Sequence, residues 1–72
     1  SKTAVLNKAI AEKVYNAHVG GDAFTLADIM AEHPNEVKTY GKAAAVLNVL
    51  TGDGRAAKTA PIDNKTAYQI KA

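Results

Sequence analysis

Apolar side chains recur at helical spacing in the first quarter of the chain, from Thr3 to His18. Thr3 is a suitable N-cap, because its hydroxyl can accept a hydrogen bond from the first turn. Gly20 and Gly21 favour an end to the helix, since Gly readily adopts the left-handed conformation found there. We therefore predict a first helix over residues 4–18. Its apolar face is formed by Leu6, Ile10, Val14 and Ala17.

A second helix is marked by several local signals that agree with one another. Thr25 can cap it, and Asp28 stands at the third helical position, where a carboxylate can return a hydrogen bond to the cap. Phe24 and Ile29 have the spacing of a hydrophobic staple across this start. Pro34 disfavours helical geometry at the residue before it. These signals predict a short helix over residues 26–33.

A third helix is predicted over residues 36–50, with Asn35 as its cap and Gly52 and Gly54 after its end. Its inward stripe is expected to contain Tyr40, Ala43, Ala44, Leu47 and Leu50, with Val37 and Val46 at its margins. Gly41 is unusual inside a helix, where Gly costs about 1 kcal/mol relative to Ala. Close packing against a neighbouring helix or close approach to a phosphate would each explain it.

The rest of the chain, residues 55–71, has the pattern of a β-hairpin. Tyr68 and Ile70 alternate with polar residues, as in a strand with one buried face. Asp63 to Lys65 has turn chemistry, and Asn64 tolerates a positive φ. Pro61 cannot donate a backbone hydrogen bond and so indicates an edge position.

This order predicts an α+β fold in which three helices precede a C-terminal hairpin. Seventy-two residues are enough for one domain, which we place over residues 1–72. The chain contains no cysteine, so disulfides and thiolate metal sites are excluded. No apolar run approaches the roughly 20 residues of a membrane span, which predicts no membrane partner.

The basic residues are concentrated in the second half of the chain. Residues 1–36 hold three lysines against five acids, a net charge of −2. Residues 37–72 hold six basic residues against two acids, a net charge of +4. This asymmetry favours an anionic partner for the surface of the third helix and the hairpin.

The order of elements resembles the winged helix-turn-helix family of DNA-binding domains over nearly the whole chain. The segments that carry the resemblance are FTLADIM, VKTYGKAAAVLNVL and TAYQI. The resemblance implies binding to double-stranded DNA, with the third helix in the major groove and the hairpin as a wing. It suggests a cytoplasmic transcriptional regulator or DNA-associated accessory factor of phage or bacterial type.

The resemblance also implies which residues contact DNA. On the third helix, amide, hydroxyl and ammonium groups would reach base edges or phosphates, and a small methyl group would face thymine. On the wing, basic side chains would reach phosphates or the minor groove. The implied contacts are Asn35, Lys38, Thr39, Lys42 and Ala45 on the helix, and Arg55, Lys58 and Lys65 on the wing.

A protein-interaction module without DNA binding is the alternative function. Val46 and Val49 are expected to face outward beside Ala45, and such an apolar patch is unusual on a surface that meets phosphates. The partner would be a polymerase, a repressor or another copy of the chain. A homodimer is compatible with both hypotheses, because many winged domains bind paired half-sites.

The sequence contains no recognisable catalytic or cofactor-binding motif. His18 and His33 lack the spacing of a zinc site, and TGDG follows a helix and lacks the lysine of a phosphate-binding loop. We expect no enzymatic activity, no cofactor and no bound metal.

Overall fold

The computed structural model describes residues 1–72 as three helices and a three-stranded antiparallel sheet. The chain has a small winged-helix-like topology with the hairpin at its C-terminus, and the predicted α+β fold class is confirmed. The strand order in the sheet is β1-β3-β2. In chain order the elements are α1 (Lys2–His18), β1 (Phe24–Thr25), α2 (Leu26–Glu32), α3 (Tyr40–Gly52), β2 (Ala56–Ile62) and β3 (Lys65–Ile70).

The start of α2 is built as its sequence predicts. The Thr25 hydroxyl accepts a hydrogen bond from the Asp28 amide at 3.3 Å, and the Asp28 carboxylate accepts one from the Thr25 amide at 2.9 Å. Phe24 and Ile29, the two staple residues, are both buried in the core. The helix ends at Glu32, one residue earlier than predicted, and His33 is its C-cap.

The predicted start of α3 at residue 36 is wrong. Asn35 does not cap the helix and lies exposed in a turn, where the Glu36 and Val37 amides both donate to the His33 carbonyl. Val37, only 1% exposed, is buried in the core before the helix begins. The cap is Thr39, whose hydroxyl accepts from the Lys42 amide at 3.1 Å. Burial of Val37 outweighs the local capping signal of Asn35.

The first helix starts two residues before its predicted bound. Ser1 is the cap instead of Thr3, and its hydroxyl accepts from the Ala4 amide at 3.2 Å. The predicted apolar face is buried only in the middle of the helix, because Leu6 and Ala17 are exposed. The buried positions of α1 are Asn7, Ile10, Ala11 and Val14.

The hairpin and its turn are confirmed. Asp63 and Asn64 connect β2 to β3 with φ values of 51° and 63°, a conformation that Asn and Asp tolerate better than most residues. Pro61 lies in edge strand β2, within a register irregularity between Thr59 and Ile62. Strand β1 adds a short third partner, with Phe24 opposite Tyr68.

The core lies between the three helices and one face of the sheet. Leu47, Leu50 and Ile29 are fully buried, and Ile70 contributes from the sheet.

Two expectations for α3 are wrong. Tyr40, predicted to face inward, is 57% exposed, whereas Val46, predicted to face outward, has no exposed surface. Val49 is half-buried and packs against the core.

The cap of α3 can be tested by a pair of substitutions. We expect Thr39→Ala to lower the free energy of unfolding by about 1 kcal/mol, because the Lys42 amide loses its acceptor. Asn35→Ala should change it by less than about 0.5 kcal/mol, because Asn35 is exposed and caps no helix. Urea titration monitored by circular dichroism measures both. A larger loss in Asn35→Ala would contradict the observed helix start.

Candidate nucleic-acid interface

Lys42 stands in the first turn of α3, but its side chain is turned toward α1. Its ammonium group donates a short hydrogen bond to the Asn7 side-chain carbonyl. Asn7 is only 9% exposed, and Lys42 is half-buried. No carboxylate forms an ion pair with Lys42, so its positive charge stays uncompensated. This contact places the beginning of α3 beside the beginning of α1.

Arg55, an expected wing contact, is half-buried and engaged in an intramolecular cluster of ion pairs. Its guanidinium donates to both oxygens of Glu12, at 3.0 and 2.7 Å, and to Asp53 at 2.9 Å. It also lies 4.9 Å from the centre of the Tyr15 ring, a cation–π distance. Arg55 therefore joins the end of α3 to α1, and a phosphate would have to compete with two carboxylates for it.

The same cluster predicts a dependence of stability on pH. Hydrogen bonds from Arg55 lower the pKa of Glu12 below its ordinary 4.5 and the pKa of Asp53 below its ordinary 3.8. A carboxyl with a lowered folded-state pKa stabilises the protein above its ordinary pKa, and this contribution disappears as the pH falls through the folded-state value.

We expect Arg55→Gln to lower the midpoint of urea unfolding at about pH 6. The difference in midpoint between the variant and the wild type should become smaller as the pH falls toward about 3. Lys58→Gln is the control, because it removes one charge from an exposed residue outside every ion pair. If the difference in midpoint between Arg55→Gln and the wild type stayed constant across this pH range, the loss of stability would not come from the ion pairs with Glu12 and Asp53.

The wing lysines do not share a surface. Lys58 is opposite Tyr68 in the hairpin register, so both lie on the same face. Lys65 is three residues before Tyr68 on β3, and alternation along a strand places it on the other face. Lys58 and Lys65 are both exposed, but the same flat ligand surface cannot meet both faces of the hairpin.

Lys65 instead lies near Tyr40, across a depression between the hairpin and the start of α3. The depression has a volume of about 310 Å³. Lys38 is exposed in the segment just before α3 and forms no ion pair. The carboxylate of the nearby acidic residue Asp28 accepts a hydrogen bond from the Thr25 amide in the α2 cap. The lining residues are Thr25, Leu26, Ala27, Tyr40, Lys65 and Thr66.

One strip of the α3 surface carries only small, uncharged side chains. Gly41, Ala45 and Asn48 follow one another at spacings of four and three residues, and Gly41 and Asn48 are exposed while Ala45 is half-buried. A Cβ added at Gly41 would meet only the Thr39 hydroxyl, at 3.9 Å, so close packing against a neighbouring helix does not explain this Gly.

Sequence reasoning missed two residues of this surface, Tyr40 and Asn48. Helical spacing to Ala43 and Leu47 predicts an inward Tyr40, but Tyr40 is the first residue of α3 and is 57% exposed. Asn48 is the only polar residue in the run from Ala43 to Leu50, and that interruption was a usable signal. Of the predicted contacts, Lys38, Thr39 and Lys65 lie exposed at the beginning of α3 and on the hairpin.

Both histidines contact glutamates near helix ends. His18 Nε2 lies 2.7 Å from Glu32 Oε1, and the His18 ring packs 4.2 Å from the Phe24 ring. His33 Nδ1 lies 3.9 Å from Glu36 Oε1. The first contact connects α1 to α2, and the second lies within the turn before α3.

None of the helices combines the length and the apolar character needed to cross a bilayer. Comparison with protein-family models, curated proteins and solved structures found no match to this chain.

Proposed function

We propose that the chain binds duplex DNA through the beginning of α3 and Lys65 at the start of β3. The observation that carries this proposal is the depression shared by Tyr40 and Lys65, with exposed Lys38 close by in the chain. Ammonium groups on two separate elements can contact phosphates on both sides of a groove. The biological role we propose is that of a small transcriptional regulator or DNA-associated accessory factor.

The small surface of α3 suits the approach to base edges. A helix fits the major groove, which is about 12 Å wide in B-form DNA. Gly41 and Ala45 allow close approach, and the Ala45 methyl group suits contact with a thymine methyl. Asn48 can donate to and accept from adenine in a bidentate pair. Lys38 and Lys65 would fix the orientation, since phosphate contacts carry no sequence information.

Charge distribution within the fold also supports binding to an anion. Most carboxylates are engaged in internal contacts: Glu12 and Asp53 with Arg55, Glu36 with Lys13, and Glu32 with His18. The lysines that are exposed and outside every ion pair are Lys2, Lys8, Lys38, Lys58, Lys65 and Lys71. The outer charge available to a ligand is therefore mainly positive.

The alternative, a protein-interaction surface on α3, stays a hypothesis. The outward Val46 that favoured it has no exposed surface, and Ala45 and Val49 are half-buried, whereas the low net charge still favours it. What α3 offers to a partner is the small, uncharged strip that includes Gly41 and Asn48.

The proposal is tested by fluorescence anisotropy with a labelled random duplex of about 25 bp at 50 and 200 mM salt. The two lysine–phosphate contacts of Lys38 and Lys65 predict that the logarithm of the binding constant falls with the logarithm of the salt concentration with a slope of about −1.8, which is roughly 12-fold weaker binding across this range. Circular dichroism shows that the protein is folded in both buffers. A folded protein that binds no duplex at 50 mM salt would refute the proposal.

Gly41 gives a test in which stability and binding change in opposite directions. We expect Gly41→Ala to raise the free energy of unfolding by about 0.5 to 1 kcal/mol, because the position is helical and has room for a methyl group. Duplex affinity should fall, because the methyl group stands between the helix and DNA. Thermal melting and anisotropy measure the two effects. Unchanged affinity would remove Gly41 from the interface.

A further inference from the structure

The first turns of α1 expose two neighbouring large apolar side chains. Val5 is 66% exposed and Leu6 is 58% exposed. Together with Ser1 and Lys2 they line a shallow depression of about 360 Å³. We call the surface formed by Lys2, Val5, Leu6 and Lys8 the α1 patch.

The α1 patch lies in a region of uncompensated positive charge. Lys2 and Lys8 are exposed and outside every ion pair, and the first acid in the chain is Glu12. The hydrogen bond from Lys42 to Asn7 brings another unpaired ammonium group to the same end of α1. Helix α3, which begins there, contains no acidic residue. An occupant of this surface must therefore bring negative charge as well as apolar groups.

Three alternative occupants fit the α1 patch less well. Duplex DNA supplies phosphates but little that would cover exposed Val5 and Leu6. A lipid surface requires an apolar face along much of a helix, whereas Glu12 and Lys13 are exposed on the following turns. A second copy related by a two-fold axis would place this lysine-rich surface against itself, and like charges in close contact are unfavourable.

We propose that the α1 patch binds an acidic amphipathic segment of a partner protein. Apolar side chains of that segment pack on Val5 and Leu6, and its carboxylates face Lys2 and Lys8. Such a partner covers the apolar surface and neutralises the lysines at the same time. The depression at Val5 and Leu6 shares no lining residue with the depression at Tyr40 and Lys65, so the inference does not depend on the proposed DNA binding.

The test is a selection of peptides from a random 16-residue phage-display library on the wild-type protein and on a Val5→Gln/Leu6→Gln variant. Both positions are exposed and Gln is a good helix former, so the variant should fold, which circular dichroism and thermal melting check. We expect peptides rich in Asp and Glu with apolar residues at helical spacing. The variant should bind them at least tenfold more weakly than wild type.

Several outcomes would overturn the proposal. They are the absence of enriched peptides, enriched peptides without acidic residues, and equal binding to the variant. Two further measurements address other occupants. Binding of phosphatidylserine vesicles that is lost in the variant would assign the patch to lipid, and a dimer by light scattering that the variant disrupts would assign it to a second copy. Duplex affinity should stay within twofold of wild type in the variant.

Discussion

Leu47→Ala is expected to lower the free energy of unfolding by about 3 kcal/mol. Leu47 has no exposed surface and lies in the single core cluster formed by the helices and the sheet. Truncating a buried Leu loses transfer free energy and leaves a cavity, which together cost roughly 2 to 5 kcal/mol. A domain of this size has a total stability of roughly 4 to 11 kcal/mol, so the variant should be only marginally folded.

Urea unfolding monitored by circular dichroism and by tyrosine fluorescence measures this effect. With a slope of about 1 kcal/mol/M, the midpoint should fall by roughly 3 M urea. Leu6→Ala is the matched control, since the same atoms are removed from a side chain that is 58% exposed. It should cost less than about 1 kcal/mol. Equal losses in the two variants would mean that Leu47 is not in the core as described.

Lys38→Gln combined with Lys65→Gln is expected to reduce the salt dependence of duplex binding. The two side chains lie on different segments, just before α3 and on the hairpin, and neither forms an ion pair. Each lost phosphate contact makes the slope of the logarithm of the binding constant against the logarithm of the salt concentration less negative by about 0.9. The double variant should therefore change this slope by about 1.8. At 50 mM salt, affinity should fall by about tenfold or more.

The control removes the same two charges from lysines outside the proposed interface. Lys8→Gln with Lys71→Gln has the same net charge as the test variant. Lys8 lies on α1, and Lys71 follows β3 at the opposite end of the hairpin from the Asp63–Asn64 turn. This control should keep the wild-type slope. Equal slopes for the two double variants would show that binding responds to overall charge and that Lys38 and Lys65 have no special position.

Arg55 illustrates why a basic residue in a favourable place along the chain is not always available to a ligand. In the sequence it opens a basic hairpin and adds to the +4 charge of the second half. In the fold, Glu12 reaches it from 43 residues away, and Asp53 contacts it from the preceding turn. Its contribution is to hold α1 against the end of α3, and it remains a DNA contact only as a prediction.

The sequence alone determined the elements whose signals act over a few residues. The Thr25–Asp28 cap, the stop before Pro34, the turn at Asn64 and the alternation of Tyr68 and Ile70 were all readable. Their physical basis is local, since each depends on backbone preferences or on hydrogen bonds within one turn. Together they were sufficient to predict the order of elements and the α+β fold.

Only the tertiary structure decided which side chains are available at the surface. Val37 is buried before the helix begins, Thr39 is the cap of α3, and Tyr40 lies at the surface. The partner of Lys42 is 35 residues away, at Asn7. Such outcomes depend on the packing of distant segments, and periodicity along one helix does not specify which part of its apolar face another element covers.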